Sequence, residues 1–324
     1  MNALSRLASR SVDRWGVLRD FAPPALLLAL VVVVEVFAPG FVTRDTLATV
    51  LADTSVLFIL ATAETFVILL GGIDLSVQAL ASLASVLLAQ LLPSIGIAAF
   101  PVAILSGTLF GLASGVVHVR LKVPSFVATL ATGGVVAGLA LLAARGRAIT
   151  IEENGRVFTR WISATVLGFP GVIGISLAVG VAAYVGLRYT RFGRCTVAVG
   201  AGEPAAWAAG VNVNRTKIMA FAISGTLASL AGTLLAARLS SGSPTLANQL
   251  MLPAIAAVIV GGTAITGGLG NVGRTAVGAL IISVVRIGMT FIGINIFAEN
   301  IVFGAMLIAA VAVTIDRRKI PIIK

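Results

Sequence analysis

Apolar runs of the length a bilayer-crossing helix needs, about 20 residues, recur along nearly the whole chain, separated by turn residues and isolated charges. They predict helices over Phe21–Phe37, Thr46–Leu70, Leu75–Leu92, Gly96–Val119, Pro124–Ala144, Val166–Tyr189, Ile218–Leu239, Gln249–Thr266, Gly273–Gly293 and Phe297–Ile315. Two connections are long, Arg145–Thr165 and Thr190–Lys217, and neither has room for a separate soluble domain. The expected fold class is all-α, a polytopic membrane protein of about ten transmembrane helices. Residues 1–324 are then one transmembrane domain, with tails at 1–20 and 316–324.

Composition supports that reading. The chain is 58% hydrophobic and 11% charged, with a mean hydropathy of +1.08. A soluble domain carries about 25% charged residues, so too few polar groups exist here to cover a water-soluble globule. The same numbers exclude disorder. A net charge of +11 would point to nucleic acid in a soluble protein, but here the basic residues lie between apolar runs and form no long tract. With the N-terminus inside and alternating spans, the inner segments hold 16 of the 23 lysines and arginines. The outer ones hold 6 (Arg44, Arg145, Arg147, Arg156, Arg160, Arg238), and Arg286 falls within a span. Basic flanks stay inside, so both termini are expected in the cytoplasm. The opening stretch imitates a signal peptide but reads as an uncleaved first span, since the rest of the chain is equally apolar. One cysteine, Cys195, and one histidine, His118, exclude an internal disulfide and any cysteine or histidine metal cluster.

Two glycine-rich breaks interrupt the apolar pattern. The first is V-I-L-L-G-G-I-D-L-S at Val67–Ser76, with Gly71 and Gly72; the second is V-I-V-G-G-T-A-I-T-G-G-L-G-N at Val258–Asn271, with Gly261 and Gly262. Each places Gly-Gly after a Val-Ile pair, which looks like a weak internal repeat. Such breaks build solute paths in transporters, where freed backbone groups face a cavity, and they also serve close helix packing; both readings stand. Charges inside spans are costly and usually face the bundle interior. Glu64 precedes the first break without a local partner, Asp74 follows it where a carboxylate caps the next helix, and Arg286 has Glu64 and Glu299 as candidate partners. Glu64, Gly71, Gly72, Asp74, Gly261, Gly262 and Arg286 are therefore the candidate translocation path or helix-break residues.

No phosphate loop, G-x-S-x-G, H-E-x-x-H or paired-cysteine motif occurs. No catalytic residue, metal or bound cofactor is expected, and energy for uphill transport must come from a partner or an ion gradient.

Within Thr190–Lys217, Gly202-Glu203-Pro204 starts a helix and Gly210 stops it. Between them Ala205-Ala206-Trp207-Ala208-Ala209 presents one large aromatic among small residues. Such a helix either docks into another protein's cleft or lies at the membrane interface with Trp207 among the headgroups. Here the residues resemble a family. The G-G-I-D-L-S run, T-R-F-G-R with its A-V-G-x-x-x-x-A-A-x-x-x-G continuation, and I-A-A-V-I-V-G-G-T-x-x-x-G-G-x-G look like inner-membrane permease subunits of ribose-type (monosaccharide) ABC importers. The resemblance spans nearly the whole chain in matching order. It implies a permease dimer, with a second copy or a paralogue, two cytoplasmic ABC ATPase subunits that bind ATP, and an extracytoplasmic solute-binding protein. Glu203, Pro204, Ala205, Ala206, Trp207 and Gly210 become the expected ATPase-docking coupling helix within the loop 190–217. Departures at Gly202, Trp207, Gln78, Glu64 and Met251-Leu252-Pro253 leave the permease reading intact and bear on the solute and on homo- or heterodimer formation. An ion-coupled secondary transporter, drawn from Glu64, Asp74 and the paired breaks, is the alternative, and a passive channel is a third reading.

Overall fold

The computed structural model describes residues 21–314 apart from Leu167, so the tails 1–20 and 316–324 lie outside the described residues. The apolar helices are α1 (Phe21–Phe37), α2 (Arg44–Ile68), α3 (Val77–Ile95), α4 (Ala99–Arg120) and α5 (Ser125–Ala144). Two single turns, α6 (Glu153–Arg156) and α7 (Arg160–Ser163), precede α8 (Gly171–Tyr189). The second half contains α9 (Arg191–Ala201), α10 (Glu203–Ala208), α11 (Val213–Leu239), α12 (Met251–Val260), α13 (Val272–Ile292) and α14 (Glu299–Thr314).

Among the described residues 6 helical stretches are long and apolar enough to cross a membrane. One of them, Val77–Arg120, is 44 residues long and bends at Gly96, where a 3-10 turn folds α4 back against α3. Three further apolar helices are shorter: Phe21–Phe37, Asn248–Val260 and Glu299–Ala312.

Burial divides the helices into an inner and an outer set. The run from Thr54 to Leu69 in and just beyond α2 is buried on every side, its Thr54, Ser55, Thr62, Glu64 and Thr65 included. Around it pack α8, α11, α12 and α13. The outer helices keep apolar faces exposed: Leu105 and Leu109 on α4, Leu130 and Leu142 on α5, Leu177 and Val181 on α8.

Helix α11 is the central partner, and small residues bring it close. A Cβ on Gly107 of α4 would sit 1.7 Å from Ser229 Oγ, and one on Gly111 2.3 Å from the Phe221 carbonyl. On the other side, a Cβ on Gly232 would meet the Ala81 carbonyl of α3 at 2.0 Å. These are the approaches that small-residue spacing permits between apolar helices. Thr65 of α2 and Thr275 of α13 join hydroxyls at 2.8 Å.

Four two-residue strands tie the loops. β1 (Ile149–Thr150) pairs antiparallel with β4 (Ser241–Gly242), Ile149 opposite Gly242, and β2 (Thr165–Val166) pairs antiparallel with β3 (Phe169–Pro170). The Arg145–Thr165 connection is therefore ordered, and Glu153 makes ion pairs there with Arg156 and Arg160.

Four boundaries differ from the sequence expectation. The expected Gln249–Thr266 helix ends at Val260, because the Gly-Gly that follows turns the chain. The expected start at Val166 moves to Gly171, behind the β2–β3 hairpin. Helix α11 begins at Val213 instead of Ile218, where Asn212 caps it by accepting the Arg215 N–H at 2.9 Å. Most of the early part of the Thr190–Lys217 loop is the helix α9.

Candidate functional site

The first break is held open by side chains. Gly71 has φ +78° and Gly72 follows it, and the freed backbone finds hydroxyls on α5: Ile73 N–H donates to Ser125 Oγ at 3.1 Å and Leu75 N–H to Thr129 Oγ1 at 3.0 Å. Asp74 is fully buried. Its Oδ1 accepts from the Ser76 N–H at 2.9 Å and from the Ser76 hydroxyl at 2.5 Å, and its Oδ2 accepts from Ser224 Oγ on α11 at 2.7 Å. The expected acceptance of a backbone N–H at the start of α3 is present, with one difference in position. Ser76, not Asp74, occupies the N-cap position of α3, and Asp74 fastens the break to α11.

Glu64 sits about two turns before the break on α2, wholly buried like Asp74. Neither of its carboxyl oxygens has a hydrogen-bond partner among the described residues.

The second break is held by backbone. Gly261 ends α12 with a Cβ position 2.3 Å from the Arg274 carbonyl, and Gly262 turns the chain at φ +98°. The Thr263 N–H donates back to the Val258 carbonyl at 3.1 Å and the Ala264 N–H to the Leu269 carbonyl at 2.8 Å. Asn271 then caps α13, accepting from the Arg274 N–H at 2.9 Å.

The two breaks meet. The Gly268 N–H donates to the Leu69 carbonyl at 2.9 Å, and a Cβ on Gly71 would lie 3.1 Å from the Thr266 carbonyl. A third segment closes the junction. Gly200 of α9 is so close that a Cβ there would be 1.8 Å from the Leu69 carbonyl and 2.5 Å from the Gly268 nitrogen. The sequence offered a signal for α9: Phe192, Thr196 and Val199 recur at helical spacing, and Thr190 caps it by accepting from the Gly193 N–H at 3.2 Å.

One residue after α9, the chain enters α10. Glu203 and Pro204 stand in its first turn, and Glu203 is paired with Lys217 Nζ at 2.6 Å. Ala206 is buried with Val199 and Val213, which fixes α10 on its α9 and α11 supports. Gly210 and Val211 close the helix by donating to the Trp207 and Ala206 carbonyls. Ala205 lies on the exposed side, and Trp207 is 74% exposed beside a cavity of about 870 Å3 lined by Glu203, Pro204, Gly210 and Val211–Asn214.

Arg286 departs from expectation. It pairs with Asp53 of α2, in place of Glu64 or Glu299. Arg238, counted with the outer segments at the end of its expected helix, is in the last turn of α11, and its Nη1 donates to the Ala52 carbonyl at 2.7 Å. His118, whose Nδ1 lies 2.6 Å from the Val123 carbonyl, has a turn-closing role at the end of α4.

Known proteins share this sequence along most of its length. The chain is 38% identical to the ribose import permease protein of Haemophilus influenzae over 88% of this chain and 90% of that protein. It is 36% identical to the ribose import permease protein of Bacillus subtilis, over 94% of each. Against the L-arabinose transport system permease protein of Escherichia coli the figure is 34%, over 92% of this chain and 89% of that one. No solved structure matches the chain. The family model described as "Branched-chain amino acid transport system / permease component" matches residues 46–311, and the chain belongs to that permease family.

Proposed function

We propose that this chain is the transmembrane permease subunit of an ATP-driven ABC importer that moves a monosaccharide or sugar-like solute across the bacterial inner membrane. The family description alone leaves the solute class open, since it names amino acid transport. The ribose and arabinose permeases among the relatives favour a sugar. The bundle crosses the membrane about ten times, with both termini and α10 in the cytoplasm, as the distribution of basic residues favours. It works beside a second permease, a copy or a paralogue. A cytoplasmic ATPase subunit hydrolyses ATP, and an extracytoplasmic binding protein delivers the solute. The chain itself translocates and catalyses no covalent step.

The observation that carries the reading is the continuity from α10 to the breaks. Trp207 stands out from a six-residue helix beside an open cleft, where an aromatic anchor can seat in a partner's pocket. Behind it α9 reaches Leu69 and Gly268 through Gly200 with no side chain between. A push on α10 by the ATPase therefore reaches both breaks through backbone contacts, and Glu64 and Asp74 line the segment that would move.

The test is co-purification of the ATPase with the permease, together with solute-stimulated ATP hydrolysis. Trp207→Ala is expected to weaken the association by about 2 kcal/mol, a loss of about thirtyfold, while the permease inserts in normal amounts. Retention of both properties by a variant lacking 203–210 sinks the docking role. Uptake that follows a proton or sodium gradient without ATP sinks the importer reading.

A further inference from the structure

At the end of the bundle away from α10 lies a second cavity, of about 600 Å3, between α2, α11, α13 and the segments leading into α12 and α14. The two ends are well separated. Arg238 stands 25 residues after the first residue of α11, roughly 38 Å along the helix at 1.5 Å per residue. Besides Thr290, six charged or amide side chains converge on the cavity: Asp53, Arg238, Gln249, Arg286, Glu299 and Asn300. Their own bonds hold them in place. Arg286 is paired with Asp53, Arg238 is anchored on the Ala52 carbonyl, and Asn300 Nδ2 donates to Gln249 Oε1 at 3.3 Å. Glu299 is within electrostatic reach of both Asp53 and Arg286. Phe297, 86% exposed, stands at the rim.

The chemistry is specific in kind. Two acids face two guanidinium groups, so the formal charges cancel, and an anion or a cation gains little from such a lining. Carboxylates accept and guanidinium and amide groups donate, in adjacent pairs, which matches a ligand whose neighbouring hydroxyls each donate and accept. A flat apolar ring at the mouth suits the C–H face of a sugar ring. The volume falls within the 300–1,000 Å3 usual for small-molecule sites, which place a few convergent polar groups in an apolar wall, here supplied by Val56, Leu57 and Leu235.

We propose that this cavity is a solute site of the permease, taking a neutral polyhydroxylated molecule of monosaccharide size at the end where the binding protein releases it. The proposal rests on the importer reading and gives it a location. The opposed charges hold the solute by paired hydrogen bonds that a narrow, moving path can exchange, and the Asp53–Arg286 pair lies deep enough on both helices to hand the solute inward.

The test uses the full-length chain in the assembled transporter. Cys195→Ser removes the native thiol, and Phe297→Cys or, as a control at the same end of the bundle, Ile97→Cys supplies the new one. Labelling by a membrane-impermeant maleimide is timed with millimolar D-ribose, L-arabinose, D-galactose, myo-inositol or D-gluconate. A bound solute at about four times its dissociation constant slows labelling about fivefold. At least one neutral member is expected to protect position 297 and not 97, and Glu299→Gln is expected to raise the protecting concentration about tenfold. If a neutral sugar stimulates ATP hydrolysis by the assembled transporter yet none protects 297, the cavity is not a solute site and the importer reading stands. Protection by gluconate alone overturns the neutral class. If no member stimulates ATP hydrolysis, the sugar reading falls and takes this site with it.

Discussion

The two ends of the bundle are built from opposite materials. At the α10 end, three segments far apart in sequence meet through glycines, and backbone touches backbone at Leu69, Gly200 and Gly268. At the other end, long charged side chains from α2, α11, α13 and α14 stand around an open space. A backbone junction transmits displacement with little loss, because no rotamer can absorb it; protein interiors are close-packed and transmit strain. A side-chain vestibule does the reverse and adapts to what enters it. The difference sets an end proposed for mechanical coupling against one proposed for solute contact within one chain.

The sharpest way to break this contrast is Gly200→Ala. The added carbon meets the Leu69 carbonyl and the Gly268 nitrogen, both main-chain atoms that cannot rotate away. Overpacking costs about 3 kcal/mol or more where the neighbours cannot move, so a large fall in folded protein is expected, read by abundance and by thermal unfolding in detergent. A variant as stable as the parent would mean the junction has slack.

Arg286→Met tests the other end and should cost less. Removing one member of a buried ion pair typically costs about 3–5 kcal/mol. Here the Arg286 and Asp53 side chains remain 20% and 26% exposed, so solvent screening brings the expected loss to about 2 kcal/mol. Adding Asp53→Leu to Arg286→Met should restore most of it, since the orphaned carboxylate carries the penalty. Thermal unfolding of the single and double variants decides this.

The smallest effect is expected two residues from the largest. Gly202 has a φ of 174°, extended backbone open to any residue, and a Cβ there would meet only the Ala205 methyl at 3.9 Å. Gly202→Ala should change stability by no more than about 0.5 kcal/mol. A collapse like that of Gly200→Ala would show that α10 is seated more tightly than its contacts indicate.

The same contrast governs what the sequence could reveal. Apolar runs and Gly-Gly pairs are local signals, so the apolar helices, both breaks and the Gly202–Gly210 helix were legible within a few residues. That the breaks touch each other was not, because Leu69 and Gly268 belong to segments whose approach depends on every helix between them. Helix α9 was overlooked since its arginines and small residues look like loop; only Phe192, Thr196 and Val199, taken together, show its buried face. The vestibule was the least legible part. Arg286 stood out as a charge within an apolar helix, yet its pairing with Asp53 is a fact of three dimensions. Arg238 was legible as the last turn of its helix, but its anchoring on the Ala52 carbonyl of α2 was not.

The turn at Gly96 bears on how the chain enters a membrane. As synthesis proceeds, Val77–Arg120 presents a 44-residue helical stretch whose one Lys or Arg is Arg120 at its end, a little over twice what one crossing of about 30 Å requires. No charge marks where the first helix should stop. Pro93 and Gly96 do, and the left-handed φ of +56° at Gly96 favours glycine there. On the proposed ten-span topology, losing the bend here would merge two crossings into one and invert every helix from α5 onward, about two-thirds of the chain.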